Sequence, residues 1–192
     1  MKTRDLLSII GISLIATLSV NAQKQNKDTD RGYAFEGRSF VIGLGSGFFG
    51  YSYGYGELGG APLMLSMEYG IHRYVGAGIY GGLLDRNPKI GENTYDMTVY
   101  TVGVRGHLHA YNILDDVVKK NLRGDIIDIY GIVYVGMDFF DTNIKLPNQR
   151  TWYISGGLGI RAYPFKKAKG LGLFTEFSPV LMPWQLGLNY RF

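Results

Sequence analysis

The nine residues from Trp184 to Phe192 alternate strictly between apolar side chains and polar or small ones. The apolar positions are Trp184, Leu186, Leu188, Tyr190 and Phe192, and the intervening ones are Gln185, Gly187, Asn189 and Arg191. A period of two places successive side chains on opposite faces of a strand, so this segment is predicted to be a β-strand with one apolar face. Such a face must cover either a soluble core or a lipid surface, and the rest of the chain has to indicate which.

The same alternation recurs in seven earlier segments, which predicts an all-β protein of eight strands. The predicted strands are about 38–49, 62–70, 74–83, 96–110, 125–140, 151–163, 171–178 and 184–192. Tight turns are predicted at 71–73 and 164–170, and longer loops at 50–61, 85–95, 141–150 and 179–183. The 28 glycines and 15 tyrosines suit a strand-rich chain with many turns.

Charged residues within the predicted strands indicate the environment of the apolar face. They include Glu68, Arg105, Asp128, Arg161, Glu176 and Arg191, and these six lie opposite the aliphatic side chains, among glycines and tyrosines. Almost all lysines lie instead in predicted turns, loops and a helix, whereas a soluble barrel would carry many on its strands. An arginine or lysine facing lipid at mid-bilayer would cost about 2–4 kcal/mol, so charges belong in the lumen of a membrane barrel. Strands in lipid must close into a barrel, because an open edge leaves backbone groups unpaired.

This arrangement predicts what each side of the barrel wall contacts. The residues predicted to face lipid include Leu65, Val104, Val133, Leu158, Leu173 and Leu188. Inside, we expect a salt-bridge network of Glu68, Arg105, Asp128, Arg161 and Glu176 that closes the lower lumen to ions, because a buried charge is costly unless it is paired. Arg105 and Arg161 are the expected partners of Glu176, since one guanidinium can bridge two carboxylates.

One segment between the fourth and fifth strands has helical spacing. Its apolar residues are Ile113, Leu114, Val117, Val118 and Leu122. Asn112 is a candidate N-cap and Gly124 a terminator, so a short amphipathic helix is predicted at 113–123. It serves either as a connector packed against the barrel end or as a contact for a partner or a membrane surface.

The first 37 residues are predicted to lie outside the barrel. Lys2 and Arg4 precede an apolar run, and small residues ending at Ala22 suit signal-peptide cleavage, so residues 1–22 are predicted to be a signal peptide. The apolar run is shorter than the ~20 residues of a membrane-spanning anchor. The polar residues 23–37 are predicted to be a flexible periplasmic leader, followed by the barrel at 38–192. The chain has no cysteine, which excludes disulfides and thiolate chemistry.

The last strand carries a more specific pattern. Gln185, Gly187, Tyr190 and Phe192, with the final aromatic at the carboxyl terminus, resemble the C-terminal assembly signal of bacterial outer-membrane β-barrels. Across residues 23–192, the chain resembles the eight-stranded outer-membrane barrel superfamily typified by OmpX and the OmpA membrane domain. The resemblance implies a closed eight-stranded antiparallel transmembrane barrel with a polar, largely plugged interior. Both termini and the single short helix are then expected on the periplasmic side.

The resemblance also implies a location and partners. The protein is expected in the cell outer membrane after cleavage following Ala22, as a monomer in outer-membrane lipid, assembled by the barrel-assembly machinery. A surface ligand is expected to bind, if at all, through the external loops. No nucleic-acid partner is expected, because the net charge of +4 for the full chain is too mild.

The residues leave three functional classes open. The preferred one is a non-enzymatic barrel that supports envelope integrity or makes surface contacts; the alternative is a narrow channel for small solutes or apolar ligands. An enzyme is the third, but no Ser, His and Asp set converges on one level. His107 and His109 share a face with Arg105, and Asp128 could complete a metal site. Lumen histidines bonded to Glu or Tyr explain them more simply, so no metal and no cofactor is predicted.

Overall fold

The fold was analysed in a computed structural model, which describes residues 34–47, 57–90, 93–118, 126–142, 150–165, 170–180 and 183–192. The predicted signal peptide and most of the predicted leader lie outside these residues. Eight long strands are present: β1 Phe40–Gly47, β2 Leu63–His72, β3 Val75–Asn87, β4 Met97–His109, β5 Ile127–Thr142, β6 Arg150–Ala162, β7 Leu171–Phe177 and β8 Trp184–Arg191. One helix, α1 Ala110–Val118, follows β4.

The eight strands form a closed antiparallel barrel in which each strand pairs with its neighbours in sequence. The ring closes where β1 pairs with β8, from Val41 opposite Arg191 to Gly47 opposite Gln185. The predicted closed eight-stranded antiparallel barrel is therefore confirmed. We call the end that carries Phe40, Arg191 and the β2–β3 turn the basal end, and the opposite end the outer end.

The outer surface of the barrel is apolar along the strands. The side chains predicted to face lipid are between 46% and 66% exposed, and they are Leu65, Val104, Val133, Leu158, Leu173 and Leu188. Charged residues next to them in sequence are buried: Val104 is 55% exposed, whereas Arg105 is 3% exposed. A soluble barrel has the opposite polarity, so this distribution is typical of a barrel that contacts lipid.

Two strands are longer than predicted, and one of them pairs there with part of a predicted loop. β3 was expected to end at residue 83 but continues to Asn87, where Glu57–Leu58 pairs with it. Within the predicted loop 85–95, Lys89–Ile90 pairs with Asn93–Thr94 as a further two-residue ladder. β5 was expected to end at residue 140 and runs to Thr142, paired with Met97 of β4. The two-residue strands Glu57–Leu58, Lys89–Ile90 and Asn93–Thr94 are too short to show period-two alternation, so the sequence pattern did not predict them.

The helix begins earlier in the chain than predicted. α1 begins at Ala110, directly after β4, and its described part ends at Val118, whereas residues 119–123 lie outside the described residues. Asn112 was expected to cap the helix but lies within its first turn. Its side-chain nitrogen instead donates to the backbone oxygens of Phe35, at 3.0 Å, and Arg73, at 2.6 Å. Among the described residues, no helix has the length and apolar character needed to span a bilayer.

The last residues of the predicted leader are packed into the basal end of the barrel. Ala34 and Phe35 are both 0% exposed, and the Phe35 ring stacks on His109 with centroids 3.4 Å apart. The hydroxyl of Ser39 donates to the backbone oxygen of Glu36 at 2.6 Å. Arg38 has a φ of 67°, in the left-handed region, and turns the chain into β1. Packing against the barrel therefore begins before residue 38, where the sequence analysis placed its boundary.

Candidate functional site

Five charged side chains from five different strands meet inside the barrel. They are Glu68 on β2, Arg105 on β4, Asp128 on β5, Arg161 on β6 and Glu176 on β7, each no more than 3% exposed. Each occupies the inward phase of its strand, between outward neighbours, which is how alternation brings residues distant in sequence into one lumen. We call these five residues, together with His107 and His109, the lumen charge cluster.

The first ion pair of the cluster joins β4 to β7. Arg105 Nη2 lies 2.5 Å from Glu176 Oε1. The hydroxyls of Tyr130 and Tyr134 donate to the same carboxylate, at 3.0 and 2.7 Å. Glu176 therefore accepts three hydrogen bonds, one of them charge-assisted, which offsets the cost of burying its charge.

The second ion pair spans the bore between β6 and β2, which lie on opposite sides of the ring. Arg161 Nη2 donates to Glu68 Oε2 at 2.7 Å, while its Nη1 lies 3.9 Å from Asp128 Oδ2. The guanidinium also stacks over the Tyr130 ring, 4.7 Å from its centroid. The sequence analysis expected Arg161 to reach Glu176. In the structure Arg161 forms its ion pair with Glu68 instead. Glu176 accepts hydrogen bonds from Arg105, Tyr130 and Tyr134.

His109 links the carboxylates of Asp128 and Glu68. Its Nδ1 lies 2.9 Å from Asp128 Oδ2, and its Nε2 lies 3.1 Å from Glu68 Oε1. Because ionised carboxylates only accept hydrogen bonds, this geometry favours a proton on both ring nitrogens of His109, which makes the ring an imidazolium. Three carboxylates then balance two guanidiniums and one imidazolium, which leaves the cluster neutral.

His107 has a different protonation state from its neighbour. Its Nε2 accepts a hydrogen bond from Arg105 Nε at 2.7 Å, so the proton of a neutral ring is on Nδ1. That Nδ1 lies 3.3 Å from Glu68 Oε1. In the described part of the chain, no group of three or more His, Asp or Glu side chains could hold a metal ion.

Aromatic side chains fill the bore beside the charge cluster. The hydroxyls of Tyr80 and Tyr153 are hydrogen-bonded at 2.5 Å, and the Tyr80 ring packs edge-on against Tyr134. Gly103 and Gly136 leave room for this layer, because a Cβ at either position would overlap the Tyr80 hydroxyl. Glycines also leave room for a second inward aromatic, because Phe174 packs against Gly43, Gly45 and Gly187.

Sequence reasoning missed several members of this interior. Tyr130 and Tyr134 lie on the same face of their strand as Asp128. That position could have identified them as hydrogen-bond donors to a buried carboxylate. The histidines were noted on the face of Arg105, but not that one must carry a charge. Phe35 had a weaker signal, because it is one of only two aromatic residues, with Tyr33, within a polar segment.

The four residues of the predicted assembly signal have separate local environments. The Gln185 side chain is 2% exposed, and its amide lies 3.4 Å from the Val180 backbone oxygen. A Cβ at Gly187 would overlap the Phe174 ring and the Leu44 backbone oxygen. Tyr190 is 46% exposed, and its ring lies 4.7 Å from that of Phe192. Their role in assembly stays a prediction.

The closed eight-stranded antiparallel barrel is the fold of the small outer-membrane β-barrel proteins. The structure is similar to that of OprG from Pseudomonas aeruginosa, with a TM-score of 0.53 and 12% identity over 84% of this chain and 99% of OprG. It also resembles Ail from Yersinia pestis (TM-score 0.48, 14% identity, 82% of this chain and 100% of Ail). The N-terminal barrel domain of Pseudomonas aeruginosa OprF gives a TM-score of 0.44 at 14% identity, over 81% of this chain and 98% of that domain.

At 12% identity, the likeness to OprG establishes the fold and not an activity. No protein-family model matches the sequence, and no curated protein sequence matches it.

Proposed function

We propose that this protein is a non-enzymatic barrel of the bacterial outer membrane whose lumen does not conduct ions. The barrel then supports envelope integrity, or it makes surface contacts through its external loops. The observation that carries this proposal is the ion pair between Arg161 and Glu68, which joins opposite walls of the bore at 2.7 Å. An ion passing through would have to separate buried charges, and breaking such a pair typically costs about 3–5 kcal/mol.

The filling of the bore on both sides of the ion pairs supports the same proposal. Phe35 covers His109 at the basal end, and the Tyr80–Tyr153 pair lies nearer the outer end. The apolar outer surface supports a location in lipid. Delivery there by signal-peptide cleavage after Ala22 and the barrel-assembly machinery, and a monomeric state, belong to the same proposal.

Conductance of the refolded protein in a planar bilayer tests the closed lumen. We expect no ion current from the unmodified barrel. The double substitution Glu68→Ala and Arg161→Ala removes both partners of the ion pair that crosses the bore and should allow a small current. Val133→Ala, on the outer surface of β5, is the matched control and should leave the barrel silent. Stepwise currents from the unmodified protein would overturn the proposal in favour of a narrow channel.

A separate experiment distinguishes support of the envelope from surface contacts through the loops. In cells that express the protein, residues 143–149 of a predicted external loop are replaced by a segment of glycine and serine of equal length. If the protein acts through surface contacts, binding to host or bacterial surfaces should fall while detergent resistance is kept. If it supports the envelope, detergent resistance should depend on the barrel and not on this loop.

A further inference from the structure

Helix α1 has two faces of different character. Asn112 is 0% exposed and bonded at the basal end, whereas Leu114, Val117 and Val118 are 51%, 74% and 45% exposed. Their spacing of three and four residues places them on one side of the helix, turned away from Asn112. About half or more of each of these three side chains is exposed, and an exposed apolar face of this kind marks a contact surface.

The position of α1 connects this face with the apolar surface of the barrel. The helix begins directly after His109, the last residue of β4. Leu108 of β4 is 53% exposed on the outer surface and lies opposite Val75 of β3, which is 41% exposed. The lipid-facing surface therefore extends to the start of the helix.

The sequence after the helix is basic, and its three positive charges outnumber Asp115 and Asp116 within the helix. Lys119, Lys120 and Arg123 follow the apolar face within six residues of Val117. Basic residues beside an apolar helical face are typical of helices that lie in the headgroup region of an anionic bilayer. A protein partner would not require this combination.

We propose that α1 is an interfacial helix that lies on the periplasmic leaflet of the outer membrane, with Leu114, Val117 and Val118 inserted among the acyl chains. The inference rests on the proposed outer-membrane location and adds a second lipid contact to the barrel surface. It assigns the helix a binding partner, anionic phospholipid, instead of the role of a connector.

Fluorescence of a single labelled cysteine tests this assignment, since the chain has no cysteine of its own. Val117→Cys is labelled with an environment-sensitive dye and refolded into phosphatidylethanolamine and phosphatidylglycerol vesicles. Asn93→Cys, exposed in the two-residue ladder beyond β3, is the matched control. We expect a blue-shifted emission at position 117 and severalfold stronger quenching by lipids brominated near the headgroup than at position 93.

Each other outcome has a defined meaning. Water-like emission at position 117 in a correctly folded barrel would overturn the inference. A blue shift that grows with the protein-to-lipid ratio, without quenching by brominated lipid, would assign the face to a second copy of the chain and would also overturn it. Conductance measured on the same vesicles reports on the proposed function separately, because a silent barrel with an unbound helix fails only the helix assignment.

Discussion

Glu176 is the residue on which contacts from two neighbouring strands converge. Its carboxylate accepts hydrogen bonds from Arg105 on β4 and from Tyr130 and Tyr134 on β5. All three donors are buried, so none can turn to bulk water if the acceptor is removed. Removing the acceptor would therefore leave the buried Arg105 guanidinium without a counter-charge, which lowers the free energy of unfolding.

Glu176→Ala should lower the free energy of unfolding by about 3–5 kcal/mol, because it leaves the Arg105 charge buried without its partner. Urea-induced unfolding from lipid vesicles measures this change. Glu176→Gln keeps an acceptor oxygen and should cost less, which separates the role of charge from that of size. A change within about 0.5 kcal/mol for Glu176→Ala, as expected for a surface substitution, would contradict the importance of this pair.

The protonation of His109 gives a second prediction at the scale of one side chain. At neutral pH, nitrogen-15 spectra of the folded barrel should show protons on both ring nitrogens of His109 and on one nitrogen of His107. The cause is the pair of carboxylates that face the His109 ring, from Asp128 and Glu68. His72, exposed in the β2–β3 turn, provides a reference signal in the same spectrum. An unprotonated nitrogen on His109 would contradict the inference that the charges of the lumen charge cluster sum to zero.

At the scale of elements, residues 34–39 form a plug at the basal end of the barrel. Phe35 stacks on His109, and the amide of Asn112 on α1 fixes the Phe35 backbone oxygen. Gly70 and Gly76 leave room for the segment, because a Cβ at Gly70 would overlap the Glu36 backbone oxygen and one at Gly76 would crowd the Phe35 ring. The plug thus connects the region before β1 to the lumen charge cluster.

Phe35→Ala should lower the free energy of unfolding by about 3–5 kcal/mol, as for other fully buried phenylalanines, and should speed proton exchange at the His109 ring. Phe165→Ala is a matched control at the same end, because Phe165 is 44% exposed. Thermal or urea unfolding gives the first effect, and exchange of the imidazole protons gives the second. Unchanged exchange despite lost stability would mean that Phe35 packs against His109 without shielding it from water.

The elements differ in how well the sequence predicted them, for physical reasons. Alternation has a period fixed by strand geometry, so it placed Val104 outside and Arg105 inside correctly. It did not reveal that Arg161, which pairs in register with Asp128, bonds most closely to Glu68 on the opposite wall. That choice depends on the stagger of the strands around the ring, which no single segment encodes. The packing of Phe35 was equally inaccessible, because one aromatic residue has no period.

For the whole molecule, the carboxyl-terminal residue contributes little to the folded contacts. The Phe192 backbone nitrogen donates to Phe40 at 2.8 Å, and its ring lies 6.3 Å from the Phe40 ring and 4.7 Å from Tyr190. These contacts lie at the rim of the basal end, and seven of the residue pairs that close the ring between β1 and β8 precede Phe192. We therefore expect Phe192 to matter for assembly more than for stability.

Deleting Phe192 should leave unassembled protein in the periplasm while the purified chain still refolds in vesicles with nearly unchanged stability. Fractionation of cells measures the first result, and urea unfolding of the refolded protein measures the second. Phe165→Ala, which also removes one aromatic ring at the basal end, should assemble at the normal level. Normal outer-membrane amounts of the truncated protein would contradict the predicted signal.

Because β1 pairs with β8, the strands would keep the same order around the ring if the two chain ends were moved to another connection. Phe40 and Phe192 lie side by side, so a short linker can join the two ends of the barrel without stretching any strand. New ends can then be opened in the predicted loop at 143–149, and every strand keeps both of its neighbours. Such a circular permutant moves Phe192 into the interior of the chain. It would therefore test, in one molecule, whether the terminal position of this aromatic residue is needed for assembly in cells and not for folding of the barrel.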